Sequence, residues 1–315
     1  MQQTYQTTLC EPVSLEGIGV HSGRDVKLTI HPAEVNSGIT FLRTRCPDGG
    51  EHFIEANHRF VSATELCTVI GKGQEFGVST IEHVMAALSA LAIDNAVVEI
   101  DGFEVPILDG SSAPFVEAID QVGVVVQKAP RRFIKVLKPV RISHGKGFAE
   151  LLPQEEGFSL DVEIDFETSV IGRQRKVITL GADIFRKEIC RARTFGFVRD
   201  VEHLWKLGFA LGSSLENSVA IGDNEILNPE GLRYEDEFVC HKMLDAIGDL
   251  ALSGLPLIGA YRSYCGGHKM NFSVLAALFA DSSNYALVET RAVRRDVPFM
   301  DTAGMSAAVF APEKR

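Results

Sequence analysis

The sequence predicts an α+β protein of two structurally similar domains. Each is a sheet layered with helices, and the helices pack between the domains. Three observations lead there. A chain of 315 residues favours two domains over one. In each half, short alternating segments broken by glycine and proline give way to helical spacing. The order of elements then repeats, as antiparallel strands, helix, strand, glycine turn and helix, so that 82–115 compares with 241–272. A sheet with one apolar face buries it against helices, and two such layers can bury their helices against each other.

The elements follow in order. Strands are expected at 4–16, 25–31, 38–44 and 52–56, separated by Gly17-Ile-Gly19, Ser22-Gly23, Asn36-Ser-Gly38 and Pro47-Asp-Gly-Gly50. A strand at 67–71 leads to 79–88, which is Ala-rich and helical in period. There Ser79 with Glu82 three residues on has the form of a capping box. A short strand at 95–100 precedes Asp109-Gly-Ser-Ser112, which caps a helix running to about residue 120 with Pro114 in its first turn. The polar stretch 128–132 carries a proline and is the expected linker. The first domain is then 1–127, the second 133–300, and 301–315 a flexible tail. In the second domain, strands are expected at 133–142, 147–152, 158–165 and 175–180, with a helix at 183–191. An irregular segment 194–225 follows, then a helix from 234 to about 252, a strand at 257–264, a helix at 268–280 and a strand at 285–290.

Composition narrows the function. Hydrophobic residues make up 45% and charged residues 23%, enough to bury a substantial core. A net charge of −11 with no basic block argues against nucleic acid as a partner, while a local Lys/Arg cluster can still hold an anionic small molecule. The 6 cysteines are scattered without a Cys-x-x-Cys pair, which suits reduced thiols in a cytoplasm. The N-terminus lacks a signal-peptide pattern, and no apolar run is long enough to span a bilayer, so stable membrane insertion is not expected.

The helix at 234–252 carries the chemistry. Glu235, Asp236 and Glu237 suit its first turn, where the helix dipole favours negative charge. His241, Asp245 and Asp249 recur at every fourth residue and share one side. If the domains pack through their helices, that side meets the helix carrying Glu82-His83. His83, His241 and Asp245 then offer two imidazoles and one carboxylate, the open kind of zinc site that leaves a position for water. Glu82 stands beside it as a base for that water. His268, after Cys265-Gly-Gly267, is a candidate general acid that Asp249 can orient. Taken singly, Asp249 and His268 read as helix-terminal surface groups. His21 reads as a turn residue, Cys67 as core, and Cys240 points away from the metal side. His31, His52, His58, His144 and His203 show no partner pattern. Leu211-Gly-Ser-Ser-Leu215 offers a competing reading as the phosphate-cradling loop of a small-molecule kinase, without the lysine or the strand–loop–helix context of such loops. A non-catalytic protein with a structural metal is the other alternative, although a structural site should be closed by a fourth protein ligand.

Five stretches in consistent order resemble a known family. They are Ser79-Thr-Ile-Glu-His-Val-Met-Ala-Ala-Leu-Ser-Ala-Leu-Ala-Ile-Asp-Asn95, Pro106-Ile-Leu-Asp-Gly-Ser-Ser-Ala-Pro-Phe115, Ala192-Arg-Thr-Phe-Gly-Phe197, Phe238-Val-Cys-His-Lys-Met-Leu-Asp-Ala-Ile-Gly-Asp-Leu250 and Gly266-Gly-His268. Together they resemble the zinc-dependent UDP-3-O-acyl-N-acetylglucosamine deacetylases of lipid A biosynthesis, over about residues 4–290. The resemblance implies removal of an N-acetyl group from a UDP-linked, acylated amino sugar by a cytoplasmic enzyme. It implies one zinc ion per chain, which the ligand set would let ferrous iron replace. His83, His241 and Asp245 match the metal ligands, Glu82 the base, His268 the acid and Asp249 its partner. Thr194 matches a hydroxyl beside the oxyanion. Lys242 and Phe166 match substrate contacts, and so does Phe195, at the start of a small βαβ-like insert at about 195–221 that lines an acyl passage. A lysine that the family uses near Gly147 falls one position early, at Lys146, and carries no assignment. A monomer is expected.

Overall fold

The computed structural model describes residues 4–290. The expected tail at 301–315, and 291–300 of the expected second domain, lie outside the described residues. The protein is α+β and built as two halves on one topological plan. The sheet of the first half has five strands, in the spatial order Val13–Ile18, Asp25–Pro32, Ala96–Ile100, Ile39–Arg43, His52–Glu55. The second half repeats this order as Val140–His144, Gly147–Leu152, Leu257–Tyr264, Phe158–Asp165, Arg173–Thr179. Arg132–Val136 and Tyr285–Glu289 widen that sheet to seven strands. In both halves the strand latest in sequence among the five shared positions lies at the centre, antiparallel to one neighbour and parallel to the other. A parallel neighbour requires a crossover, which the helices before the central strands supply.

Those helices are Glu82–Ala90 and Glu237–Leu250, and they pack against each other between the sheets. Every residue of Glu82–Ala90 except Ser89 is buried, which explains why the segment is Ala-rich rather than amphipathic. Ala113–Val122 and His268–Phe279 follow the central strands, as the repeat requires. Among the described residues, no helix is long and apolar enough to cross a membrane.

Several expectations need correction. Ser79 and Glu82 do not form a capping box. Ser79 ends the strand Gly77–Ser79, Thr80 turns the chain at φ 57°, and the helix begins at Glu82 itself. The Glu82 carboxylate is turned into the interior, where it accepts from the Thr68 N–H at 3.1 Å. Glu237 is not a solvated dipole partner. It opens its helix fully buried, with both carboxylate oxygens bonded to the equally buried Arg193. The segment 194–225, irregular in its own pattern, holds the small βαβ insert that the family resemblance implied. Phe195–Phe197 and Val219–Ile221 form a parallel pair with the helix Val198–Lys206 between them, a small βαβ unit. The strand expected at 133–142 breaks between Val136 and Val140, where Lys138-Pro139 cannot continue the ladder. Two of the histidines set aside have partners, His31 with Glu99 and His52 with Asp48, each at 2.8 Å.

The contact between the two long helices depends on one glycine. A Cβ on Gly248 would run into the Glu82 backbone carbonyl, which cannot swing aside as a side chain can. Gly248→Ala should gain about 1 kcal/mol of helix propensity and lose about 1–3 kcal/mol to overpacking. We expect a net fall in melting temperature together with lower activity, because the group that must yield is the backbone carrying Glu82 and His83. An unchanged melting temperature and activity would contradict this packing.

Candidate active site

The crossing of the two helices brings the candidate residues together. His241 and Asp245 lie one turn apart on Glu237–Leu250, and His83 is the second residue of Glu82–Ala90. Asp245 Oδ1 lies 3.3 Å from His241 Nε2 and 3.7 Å from His83 Nε2. The two imidazoles meet edge to face with centroids 5.1 Å apart. One ligand atom from each of the three residues falls within 4.8 Å of the others.

The electronic state of the three suits a cation. Burial pushes His83 down to about 4 and His241 to about 3, so both rings are neutral. His241 Nδ1 faces the Ala192 carbonyl at 3.1 Å, so it carries the proton and leaves Nε2 with a free lone pair. Burial opposes charge on Asp245, but the facing His241 and the Lys242 ammonium hold its carboxyl well below the usual range. Asp245 Oδ1 is nevertheless buried with no hydrogen-bond partner among the described residues. An ionised carboxylate oxygen stranded among neutral rings is costly unless a cation meets it. The residues therefore fit a divalent metal ion bound through Asp245 and the two imidazoles.

Glu82 and the His268–Asp249 pair border this cluster. Glu82 Oε1 is 3.8 Å from His268 Nε2. Burial raises the Glu82 carboxyl to about 7, against the pull of His268. Burial pushes His268 the other way, yet Asp249 and Glu82 outweigh it and hold the imidazole at about 9. Asp249 Oδ2 receives His268 Nδ1 and Asn271 Nδ2, both at 2.8 Å, and its Oδ1 accepts the Thr68 hydroxyl at 2.6 Å. Asp249 is thus buried and fully bonded, so the surface reading fails for it and for His268.

The remaining candidates surround this core. Lys242, expected at the substrate, lies on the metal side: its Nζ donates to Asp245 Oδ2 at 2.5 Å and sits 5.6 Å from the centre of the Phe195 ring. Phe195 in turn lies edge-on to Phe166 at 5.9 Å and to His241 at 6.1 Å. Thr194 is two residues beyond Ala192, which bonds His241. Its backbone is pinned by its N–H to the Gly110 carbonyl and its carbonyl to the Val219 N–H, both at 2.8 Å. His21 lies in a turn of the first half that docks on the insert, where its Nδ1 accepts from Ala210 N–H at 3.4 Å. Burial raises the Cys67 thiol to about 12, which makes it inert. Lys146 is exposed and bonds the Asp165 carbonyl at 3.3 Å. The loop 211–215 spends the Leu211 and Gly212 amides on the His21 and Val20 carbonyls, so those two are not free to cradle phosphate.

Sequence reasoning missed Thr68, Asn271 and Arg193. Thr68 holds both candidate carboxylates, Glu82 through its N–H and Asp249 through its hydroxyl. Asn271, one turn after His268, offered a faint signal in its spacing. Thr68→Val should keep the fold and metal but lower kcat about tenfold, the loss of one hydrogen bond to a charged group at about 1.5 kcal/mol. Thr68→Ser should restore most of it. Equal rates for the Val and Ser variants would remove Thr68 from the machinery.

Comparison with known proteins fits this arrangement. The family model described as LpxC, UDP-3-O-acyl N-acetylglycosamine deacetylase, matches residues 6–280. Proteins named UDP-3-O-acyl-N-acetylglucosamine deacetylase from Brucella ovis and Brucella canis are each 50% identical over 286 residues, covering 90% of this chain and 99% of the relative. A relative from Brucella melitensis biotype 2 has the same name, identity and coverage. The chain belongs to the UDP-3-O-acyl-N-acetylglucosamine deacetylase family.

Proposed function

We propose that the chain hydrolyses the N-acetyl amide of UDP-3-O-acyl-N-acetylglucosamine, giving acetate and UDP-3-O-acyl-glucosamine at the committed step of lipid A biosynthesis. The observation that carries this reading is the convergence of His83, His241 and Asp245 within 4.8 Å, bordered by Glu82 and by His268 on Asp249. We assign zinc, one ion per chain, to those three ligands, with ferrous iron able to use the same set. When bound there, the metal supplies a Lewis acid for the acetyl carbonyl and lowers the pKa of water.

The chain's own groups do the rest. Glu82, held near 7 by burial, accepts a proton from the attacking water at neutral pH. His268 stays protonated at neutral pH and donates to the departing amide nitrogen, which otherwise leaves as an unstable anion. Asp249 fixes the ring through Nδ1, so Nε2 is the atom that delivers the proton. The Thr194 hydroxyl hydrogen-bonds the developing oxyanion, a contact of a kind that contributes about 2–4 kcal/mol. Lys242, Phe166 and Phe195 contact the substrate, with Lys242 exchanging its bond to Asp245 for the ligand. The acyl chain runs along the insert, where Trp205, Leu207 and Leu211 are more than half exposed and supply an apolar surface. The two halves act as two domains, about 1–127 and 133–300. The protein works as a cytoplasmic monomer.

Metal content and acetate release should be followed together on the purified protein before and after chelation. We expect one ion bound at this cluster, loss of acetate release with loss of that ion, and recovery on adding zinc. Full activity in a metal-free sample would overturn the reading.

A further inference from the structure

We propose that Cys46, Asp48 and His52 form a second metal site, for zinc or a similar thiol-binding divalent ion, at the tip of a hairpin in the first half. The site shares no residue with the catalytic cluster. It lies in the loop joining Ile39–Arg43 to the edge strand His52–Glu55, where Arg43 pairs with His52 and closes the ladder.

The loop is shaped so that its donors converge. The Gly49 N–H bonds the Cys46 carbonyl at 2.9 Å in a turn with Pro47 second, and Gly49 takes φ 74°. The Gly50 N–H holds Asp48 Oδ1 at 2.9 Å, which leaves Oδ2 facing His52 Nε2 at 2.8 Å. The His52 ring is steadied against Phe76, with centroids 4.8 Å apart. One thiol, one carboxylate oxygen and one imidazole nitrogen then lie within 4.8 Å of one another.

The bland alternative is a core cysteine beside a surface His–Asp pair. Cys46 is buried, but it is not part of the apolar cluster that forms the core. Its thiol donates to the Arg43 carbonyl at 3.6 Å, its one hydrogen-bond partner among the described residues. A buried thiol outside the apolar cluster, with a carboxylate and an imidazole within 4.8 Å, is what a metal ligand looks like before it binds. Burial pushes the thiol up and Arg43 pulls it back. Binding displaces the thiol proton to solvent, and the Asp48–His52 hydrogen bond gives way to one bond from each residue to the ion. Three protein ligands leave a fourth position for water, and the mixed thiolate, imidazole and carboxylate set favours zinc over magnesium or calcium.

Cobalt(II) separates this site from the catalytic one, because only this cluster holds sulfur. Full-length protein titrated with Co2+ should develop a sulfur-to-cobalt charge-transfer band in the near ultraviolet, at micromolar metal. The band should persist in His83→Ala and in Cys67→Ser. It should vanish in Cys46→Ser and weaken in His52→Ala, with acetate release from the zinc-loaded Cys46→Ser protein within twofold of the parent. Zinc should bleach the band by competition. The proposal is overturned if no band appears, if it needs millimolar cobalt, or if it survives Cys46→Ser.

Discussion

His241→Ala is expected to give a folded protein that binds no catalytic metal and releases acetate at background rate. The ring supplies the free Nε2 that faces Asp245 Oδ1 at 3.3 Å, and its loss leaves His83 and Asp245 alone in the ligand set. The Lys242 ammonium, already bonded to Asp245 Oδ2, then remains to neutralise the carboxylate. His83→Ala should behave alike, since it removes the ligand supplied by the other half. Metal analysis alongside circular dichroism tests this. A variant that retains one tightly bound ion at the catalytic site, with turnover, would show that the ligand set is wrong.

The second large effect concerns proton transfer. Glu82→Gln and His268→Gln should each keep the metal and lose about 10²–10⁴-fold in kcat. They differ in their response to pH. As the proposed acid, His268 must be protonated, and its folded value is raised to about 9, so its contribution should be present at neutral pH and lost as pH rises through about 9. The parent rate should therefore fall on the alkaline side, and His268→Gln should lack that fall. An unchanged alkaline limb in His268→Gln would assign the acid to another group. Substrate affinity should change little in either variant, because neither group is assigned to the UDP or acyl portions.

The parts of the site that were legible in the sequence are those written at helical spacing. His241, Asp245 and Asp249 recur every fourth residue, and a helix converts that interval into one face without help from the rest of the fold. Glu82-His83 was legible because the repeat of elements placed its helix against the other. Thr68 was not, since its partner Asp249 is 181 residues away and nothing local marks a threonine at the end of a loop. The supposed capping box shows the opposite error. Ser79 and Glu82 satisfied a local pattern, but the tertiary bond from Thr68 N–H determined where the carboxylate went. The insert read as irregular from its residues alone, and the family resemblance was what implied a βαβ unit, because its strands, Phe195–Phe197 and Val219–Ile221, are too short to display a period. His52 was dismissed because its partner Asp48 sits in a turn, where a four-residue interval has no fixed meaning.

The position of the central strand in each sheet has a consequence for synthesis on the ribosome. Gly147–Leu152 and Phe158–Asp165 emerge long before Leu257–Tyr264, the strand that belongs between them. Until it arrives, both flanking hairpins carry open backbone edges, the usual template for pairing with the wrong chain. The first sheet waits a much shorter interval, from Arg43 to Ala96, and can complete while the second is still being made. The nascent second half is therefore the stage at which the chain most needs a chaperone. His268, the proposed acid, follows that last strand by only a few residues, so the candidate site is completed with the closing of the sheet and not before.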